Sequence, residues 1–185
     1  MTATNQPFGC LPIDHNGGGT VRPQQYANFI NSGYGTSLST GQPVILTTSG
    51  VINAVSGAGD EIFGIFAGVT YTQTDGNQFN GPNWAANTNA TDITVAIWTD
   101  PNIVYKIQAN GSVPVTGRGA CADFVNFQSA ANGFSQCGVN AAVSSSGQVR
   151  VWDKYLAPDN DFGDAFTVLQ VTIAKSQFIA QKSGV

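Results

Sequence analysis

Apolar positions in this chain come in short, β-branched runs cut apart by turn residues. The clearest succession lies between Gly41 and Thr72, GQPVILTTSGVINAVSGAGDEIFGIFAGVTYT. Val44, Ile45 and Leu46 follow Pro43, Ser49-Gly50 breaks the run, and Val51-Ile52 begins another. Two such runs about a Ser-Gly dipeptide predict a hairpin, because glycine takes the positive φ that tight turns need. Gly57-Ala58-Gly59-Asp60 then leads into Ile62-Phe63-Gly64-Ile65-Phe66-Ala67-Gly68-Val69, which is apolar on both parities. That pattern predicts a strand covered on both faces, with Gly64 and Gly68 where another segment approaches closely.

Further strands follow from the same pattern. Residues 92–99, DITVAIWT, form one and Asp100-Pro101 ends it. In residues 103–109, Ile103, Tyr105 and Ile107 alternate with Val104, Lys106 and Gln108. Asn110-Gly111 then predicts a hairpin into residues 112–116. Residues 139–144 and 148–155 flank Ser145-Ser146-Gly147 as another hairpin, with imperfect alternation: Asp153 falls on the apolar side and Trp152 on the charged one. Residues 165–174, AFTVLQVTIA, make a last β-branched strand before a short tail to Val185.

Other stretches lack this rhythm. Pro7, Pro12 and Gly17-Gly18-Gly19 make residues 1–21 a mobile N-terminal arm, for which Phe8, Leu11 and Ile13 supply apolar anchors. Residues 22–185 then form a single β-rich domain. Residues 22–33 admit a short helix, with Pro23 in the first turn, Tyr26, Phe29 and Ile30 on one face and Gly33 at the end. Residues 73–89 read as a long loop anchored by Phe79 and Trp84, and residues 117–138 as a loop with at most one helical turn. About eight to ten strands joined mostly by hairpins predict an all-β fold, an antiparallel barrel or sandwich with at most short helices.

Charge alters this picture most. Of 185 residues only 10% are Asp, Glu, Lys or Arg, against a typical ~25%. Polarity comes instead from Asn, Gln, Ser, Thr and Gly, which suits a surface covered by neighbours and is also common in secreted all-β proteins. The seven basic residues are scattered from Arg22 to Lys182 on a chain of net charge −4, so a nucleic-acid footprint is absent. No apolar run approaches the ~20 residues a membrane span needs. Without a basic n-region or an apolar h-region at the N-terminus, a cleaved secretory signal is not expected. Cys10, Cys121 and Cys137 are odd in number and lack CxxC spacing. They read as free thiols in a reducing compartment, or Cys121 and Cys137 pair if the protein lies outside the cell.

Candidate chemistry is sparse. A Ser-His-Asp or Cys-His site would need His15, the single histidine, and a base on a Gly-flanked arm is not held in reach of a nucleophile. Asp159-Asn160-Asp161-Phe162-Gly163-Asp164 is oxygen-rich enough for calcium, but lacks the later bidentate Glu and reads as a turn. Cys10 and His15 have no paired ligands for zinc. Asp60-Glu61 at a strand entry fits a turn as well as a glycosidase carboxylate. Trp84, Trp98 and Trp152 suit a sugar-stacking platform or ordinary packing. The sequons Asn89-Ala90-Thr91 and Asn110-Gly111-Ser112 inform only on a secretory route. No catalytic, cofactor-binding or metal-ligating residue is expected.

Several strings carry a family likeness. Arg22-Pro23, Tyr26-Ala27-Asn28-Phe29, Gly33-Tyr34, Leu38-Ser39-Thr40-Gly41-Gln42-Pro43-Val44 and Ile62-Phe63-Gly64-Ile65-Phe66-Ala67-Gly68 resemble the head decoration (cement) proteins of tailed bacteriophages. So do Asp100-Pro101-Asn102-Ile103-Val104-Tyr105-Lys106-Ile107-Gln108 and Pro158-Asp159-Asn160-Asp161-Phe162-Gly163-Asp164. Residues 117–138, with Cys121 and Cys137, depart from that pattern. The resemblance implies a non-enzymatic, β-rich virion protein on the capsid exterior, assembled in the host cytoplasm. Its partners would be the major capsid protein, whose neighbouring subunits it holds together, and further copies of itself in a homo-oligomer. Phe8, Leu11, Ile13, Tyr26, Phe29 and Tyr34 are the candidate capsid or self interface. The alternative is a secreted or surface-displayed carbohydrate-binding β-domain.

Overall fold

The apolar run that begins at Ile62 becomes the middle of the molecule. In the computed structural model, which describes residues 4–127 and 133–179, it leads into the longest strand. Among these residues the strands are, in chain order, β1 (Leu11–His15), β2 (Gln24–Ala27), β3 (Leu38–Ser39), β4 (Pro43–Leu46), β5 (Ile52–Ala54), β6 (Gly64–Gln73), β7 (Gln78–Gly81) and β8 (Asn83–Trp84). They continue with β9 (Ala90–Trp98), β10 (Ile103–Gln108), β11 (Cys121–Ala122), β12 (Phe124–Val125), β13 (Gly138–Val139), β14 (Val149–Lys154) and β15 (Val168–Ile173). A five-stranded sheet has the order β1-β10-β15-β14-β11, and a six-stranded sheet the order β2-β9-β6-β4-β5 with β7 also beside β6. The pairs β3-β8 and β12-β13 stand apart. Every ladder is antiparallel. The fold is all-β, and its helical content among the described residues is one short 3₁₀ turn, Val115–Gly117.

Strand alternation builds two clusters. Ile103, Tyr105 and Ile107 of β10, Leu169, Val171 and Ile173 of β15 and Val149 and Val151 of β14 share one cluster with Ile65 of the other sheet and with Val55, just beyond β5. The two sheets therefore face each other as a sandwich. Phe66, Val69 and Tyr71 of β6 join Ile93, Val95 and Ile97 of β9 in a second cluster, closed by Leu38, Phe63 and Trp84. Burying each of these side chains contributes about 1.5–3 kcal/mol. Ile65 and Phe66 thus serve opposite clusters, and β6 is covered on both faces as its sequence predicts. A Cβ at Gly64 would stand 2.6 Å from the Trp98 carbonyl oxygen, and one at Gly68 would stand 3.0 Å from that of Gly81. The β4–β5 hairpin forms about Ser49-Gly50, with Gly50 at φ +80°.

Several expectations are corrected by non-local pairing. Of the expected arm of residues 1–21, residues 1–3 lie outside the described residues and the rest is not apart from the domain. Leu11–His15 is the edge strand of the five-stranded sheet, with Leu11 opposite Lys106 and His15 opposite Ile103, and Cys10 is buried in the first cluster. Pro12 is tolerated because this is an edge, where a β-bulge also interrupts the ladder. Residues 22–33 are not a helix: Gln24–Ala27 pairs with β9, and Asn28 at φ +59° then turns the chain so that Phe29 and Ile30 reach the second cluster. A helix this short is marginal in water, whereas a sheet edge supplies ready partners.

The stretch 73–89 is not a plain loop, because Asp75-Gly76 closes a β6–β7 hairpin and β8 pairs with β3. Asn110-Gly111 does not lead into a neighbouring strand. β10 pairs with β15 instead, and Pro114 lacks the N–H a ladder needs. Ser145-Ser146-Gly147 does not join two paired strands either, since β14 pairs with β15 and β11 while Val139 faces Phe124. Residues 117–138 hold β11 and β12 rather than loop alone. Part of that expected loop, and most of the C-terminal tail, lie outside the described residues.

Candidate functional site

His15 is not a solvated tail residue. The β1–β10 pairing holds its side chain 18% exposed, with Nε2 2.9 Å from the Asp100 carboxylate and Nδ1 accepting the Gly19 N–H at 3.2 Å. In the neutral ring the proton therefore sits on Nε2 and is donated to Asp100. The Asn102 N–H is the main cause that holds the Asp100 pKa below its ordinary value; burial opposes it and the bond from His15 assists. Both ring nitrogens are occupied, so neither addresses a hydroxyl or thiol as a general base must.

The acidic loop is consumed by its own turn. Asn160 is buried and bonded to backbone three times: it donates to the Tyr155 and Val168 carbonyls and accepts the Val168 N–H. Asp164 accepts the Asp161 N–H, while Asp161 lies 2.9 Å from the Lys154 ammonium. Asp60 accepts the Ser56 and Gly57 N–H groups, which makes it a turn cap. Among the described residues no three of His, Cys, Asp and Glu converge on one point. All three cysteines are buried, and Cys121 and Cys137 form no disulfide with each other. Burial pushes the Cys10 and Cys137 thiols well above their ordinary pKa. A hollow of about 660 Å³ is walled among the described residues by Asn5, Pro7, Ser56, Asn126, Phe127 and Gln136, with no acid, base or thiol among them.

The six expected interface residues separate into two groups on different sheets. Phe8, Leu11 and Ile13 lie along β10; the Phe8 ring stands 5.6 Å from the Lys106 ammonium. Tyr26 and Phe29 stack at 4.6 Å over Phe63, and the Tyr34 hydroxyl accepts the Ala54 N–H. All six are half-buried. The tryptophans also scatter: Trp84 is buried, Trp98 packs against the first cluster, and only Trp152 is exposed.

Trp152 marks a surface on the side of β14 that alternation assigns to charged residues. It stays on the outer, charged side of β14, 45% exposed, where a β-bulge interrupts the ladder between Val151 and Asp153, with its indole N–H on Thr172 Oγ1 at 3.0 Å. Leu156 and Val115 are also exposed, at 77% and 58%. Arg118 and Arg150 line a cleft of about 260 Å³ with Trp152, and Arg118 reaches Asp153 at 2.9 Å and the Phe162 ring at 5.3 Å. Burial opposes the charge of Asp153, yet Arg118 and the Lys154 N–H together hold its pKa below the ordinary value. The signal available in the sequence was Trp152 among charged neighbours, the place where the β14 alternation fails. No family model, curated protein or solved structure matches the chain.

Proposed function

We propose that this chain is a structural virion protein that does no chemistry. It binds the exterior of an assembled tailed-phage capsid, as a homo-oligomer, and holds neighbouring major capsid protein subunits together. The observation that carries this reading is the exposed Trp152 of β14 beside the cleft it lines with Arg118 and Arg150, on a chain that also leaves Leu156 and Val115 exposed. Large apolar side chains left in water on a chain so poor in charge favour a surface meant to be covered. Tryptophan and arginine are also the residues that most often dominate protein interfaces. The family resemblance of residues 22–44, 62–68, 100–108 and 158–164 supports the same reading.

Cement acts by mass action: what binds the assembled shell better than its separated subunits shifts the balance toward assembly. The test compares phage heads that are bare, loaded with the protein, or offered a Trp152→Ala, Leu156→Ala variant, under heating and osmotic shock. The loaded heads should resist best. The variant should bind at least about tenfold more weakly while still folding, its melting temperature lowered only by loss of the Trp152 bond to Thr172 and the packed part of the ring. Equal resistance of bare and loaded heads would remove the reading.

A further inference from the structure

Residues 4–15 are fastened to one groove like a bound peptide. The Gln108 carboxamide accepts the Gln6 N–H at 2.9 Å and donates to the Thr4 carbonyl at 3.0 Å, so a side chain completes a strand-like pairing. Phe8 covers the Lys106 ammonium, the Cys10 N–H bonds to Gly41, and Leu11–His15 pairs along β10. His15 and Asn16 then close on Asp100 and Asn102. Beyond that point the chain is held only by the Gly18 and Gly19 N–H groups on His15 until Val21 packs against the first cluster. Residues 16–20 are exposed, and a Cβ at Gly18 would meet nothing within 4 Å. The next strand, β2, already belongs to the other sheet.

We propose that the groove along β10 is a strand-acceptor site, and that residues 4–15 of a second copy of this chain can occupy it in exchange for the chain's own. An identical segment makes identical contacts, so exchange costs no bond in the closed state. Strand addition to a sheet edge is a common way for chains to associate. The linker of residues 16–23 spans at most about 29 Å when extended, against a radius of gyration near 16 Å for a chain this long. It therefore reaches an adjoining copy. A short flexible tether gives its own segment an effective concentration in the millimolar range. Exchange is thus rare in dilute solution and becomes competitive where copies are crowded side by side. This inference needs only two copies and does not rest on the capsid reading.

Leu11 and Lys106 are direct partners across the β1–β10 ladder, which supplies the test. A chain carrying Leu11→Cys is mixed with one carrying Lys106→Cys, unfolded together in urea, refolded at rising protein concentration and oxidised. A chain with both substitutions, which should close its bond internally, establishes that the geometry permits a disulfide. A mixture of Leu11→Cys with Ser145→Cys, an exposed position away from the groove, measures random collision. Disulfide-linked dimer of the first pair should exceed the Ser145→Cys pair at least about tenfold and rise with concentration toward the millimolar range. No dimer above the collision level, while the doubly substituted chain closes normally, would overturn the proposal.

Discussion

The carboxamide of Asn160 donates to the Tyr155 and Val168 carbonyls at 2.7 and 2.8 Å and accepts the Val168 N–H at 2.8 Å. Other amides do the same work. Gln148 accepts the Phe124 N–H and donates to the Gly57 and Asp60 carbonyls, and Gln177 bonds both the N–H and the carbonyl of Leu46. Each amide offers the donor and acceptor that a neighbouring strand would offer, at places where the chain turns and no strand is present. A carboxylate or ammonium offers only one of the two and resists burial. The shortage of charge therefore has a reason inside the molecule as well as on its surface. Asn160→Ala should leave the Tyr155 carbonyl and the Val168 N–H short of partners, the Val168 carbonyl keeping the Tyr155 N–H, at about 1–3 kcal/mol for each group that water cannot reach. The melting temperature should fall by roughly 4–24 °C, taking about 2–4 °C per kcal/mol at this size. Asp159→Ala, an exposed neighbour, is the control. If both variants melt together in a thermal scan, Asn160 is not a clamp.

β6 shows how one element sets the spacing of a sheet. A Cβ at Gly64 would lie 2.6 Å from the Trp98 carbonyl oxygen and 2.7 Å from Ile97 Cγ2. The nearest atom is the backbone of the paired strand, which cannot move without opening the ladder. Gly64→Ala should therefore cost about 1–3 kcal/mol, read as a lower denaturant midpoint. Gly59→Ala, where a Cβ meets nothing within 4 Å, should leave the midpoint within about 0.5 kcal/mol of the parent. Elements of this kind were legible in the sequence because their information is local. The β4–β5 hairpin is written in Ser49-Gly50, and β6, β9, β10 and β15 in their own apolar runs. β1 and β2 were not legible, since Leu11–His15 and Gln24–Ala27 become strands only beside β10 and β9, some 70 or more residues on. Asn110-Gly111 misled for the same reason: a good turn does not choose the neighbour of the strand before it. At the candidate surface, Trp152 on the charged side and Asp153 on the apolar side were visible, but the bulge that takes Asp153 out of the alternation depends on the register with β15.

The two clusters of the molecule have no independent existence. Ile65 enters one and Phe66 the other from adjacent positions of β6. After β15 leaves the five-stranded sheet, the chain crosses to the six-stranded one, where Gln177 grips Leu46 and the Phe178 ring lies 5.2 Å from Phe63. Loss of either cluster exposes side chains and backbone of the other, so unfolding should be a single transition with equal calorimetric and van't Hoff enthalpies. Acid tests this without a mutation. The Asn77 N–H lowers the pKa of Asp75, the Asn102 N–H that of Asp100, Arg118 against burial that of Asp153, and Lys154 that of Asp161. A carboxyl whose folded pKa lies below its unfolded value contributes stability above the unfolded pKa and loses it as pH falls through the folded one. The contribution of these four groups is therefore complete above about pH 5 and declines below about pH 4, where unfolded Asp takes up protons near 3.9. They are spread over both halves, with Asp75 beside β6 and β7 and Asp153 in β14. Calorimetry from pH 5 to pH 2 should show one peak that moves to lower temperature without dividing. Two resolved peaks at any pH in that range would mean that each sheet holds its own cluster, and that the shared strand does not couple them.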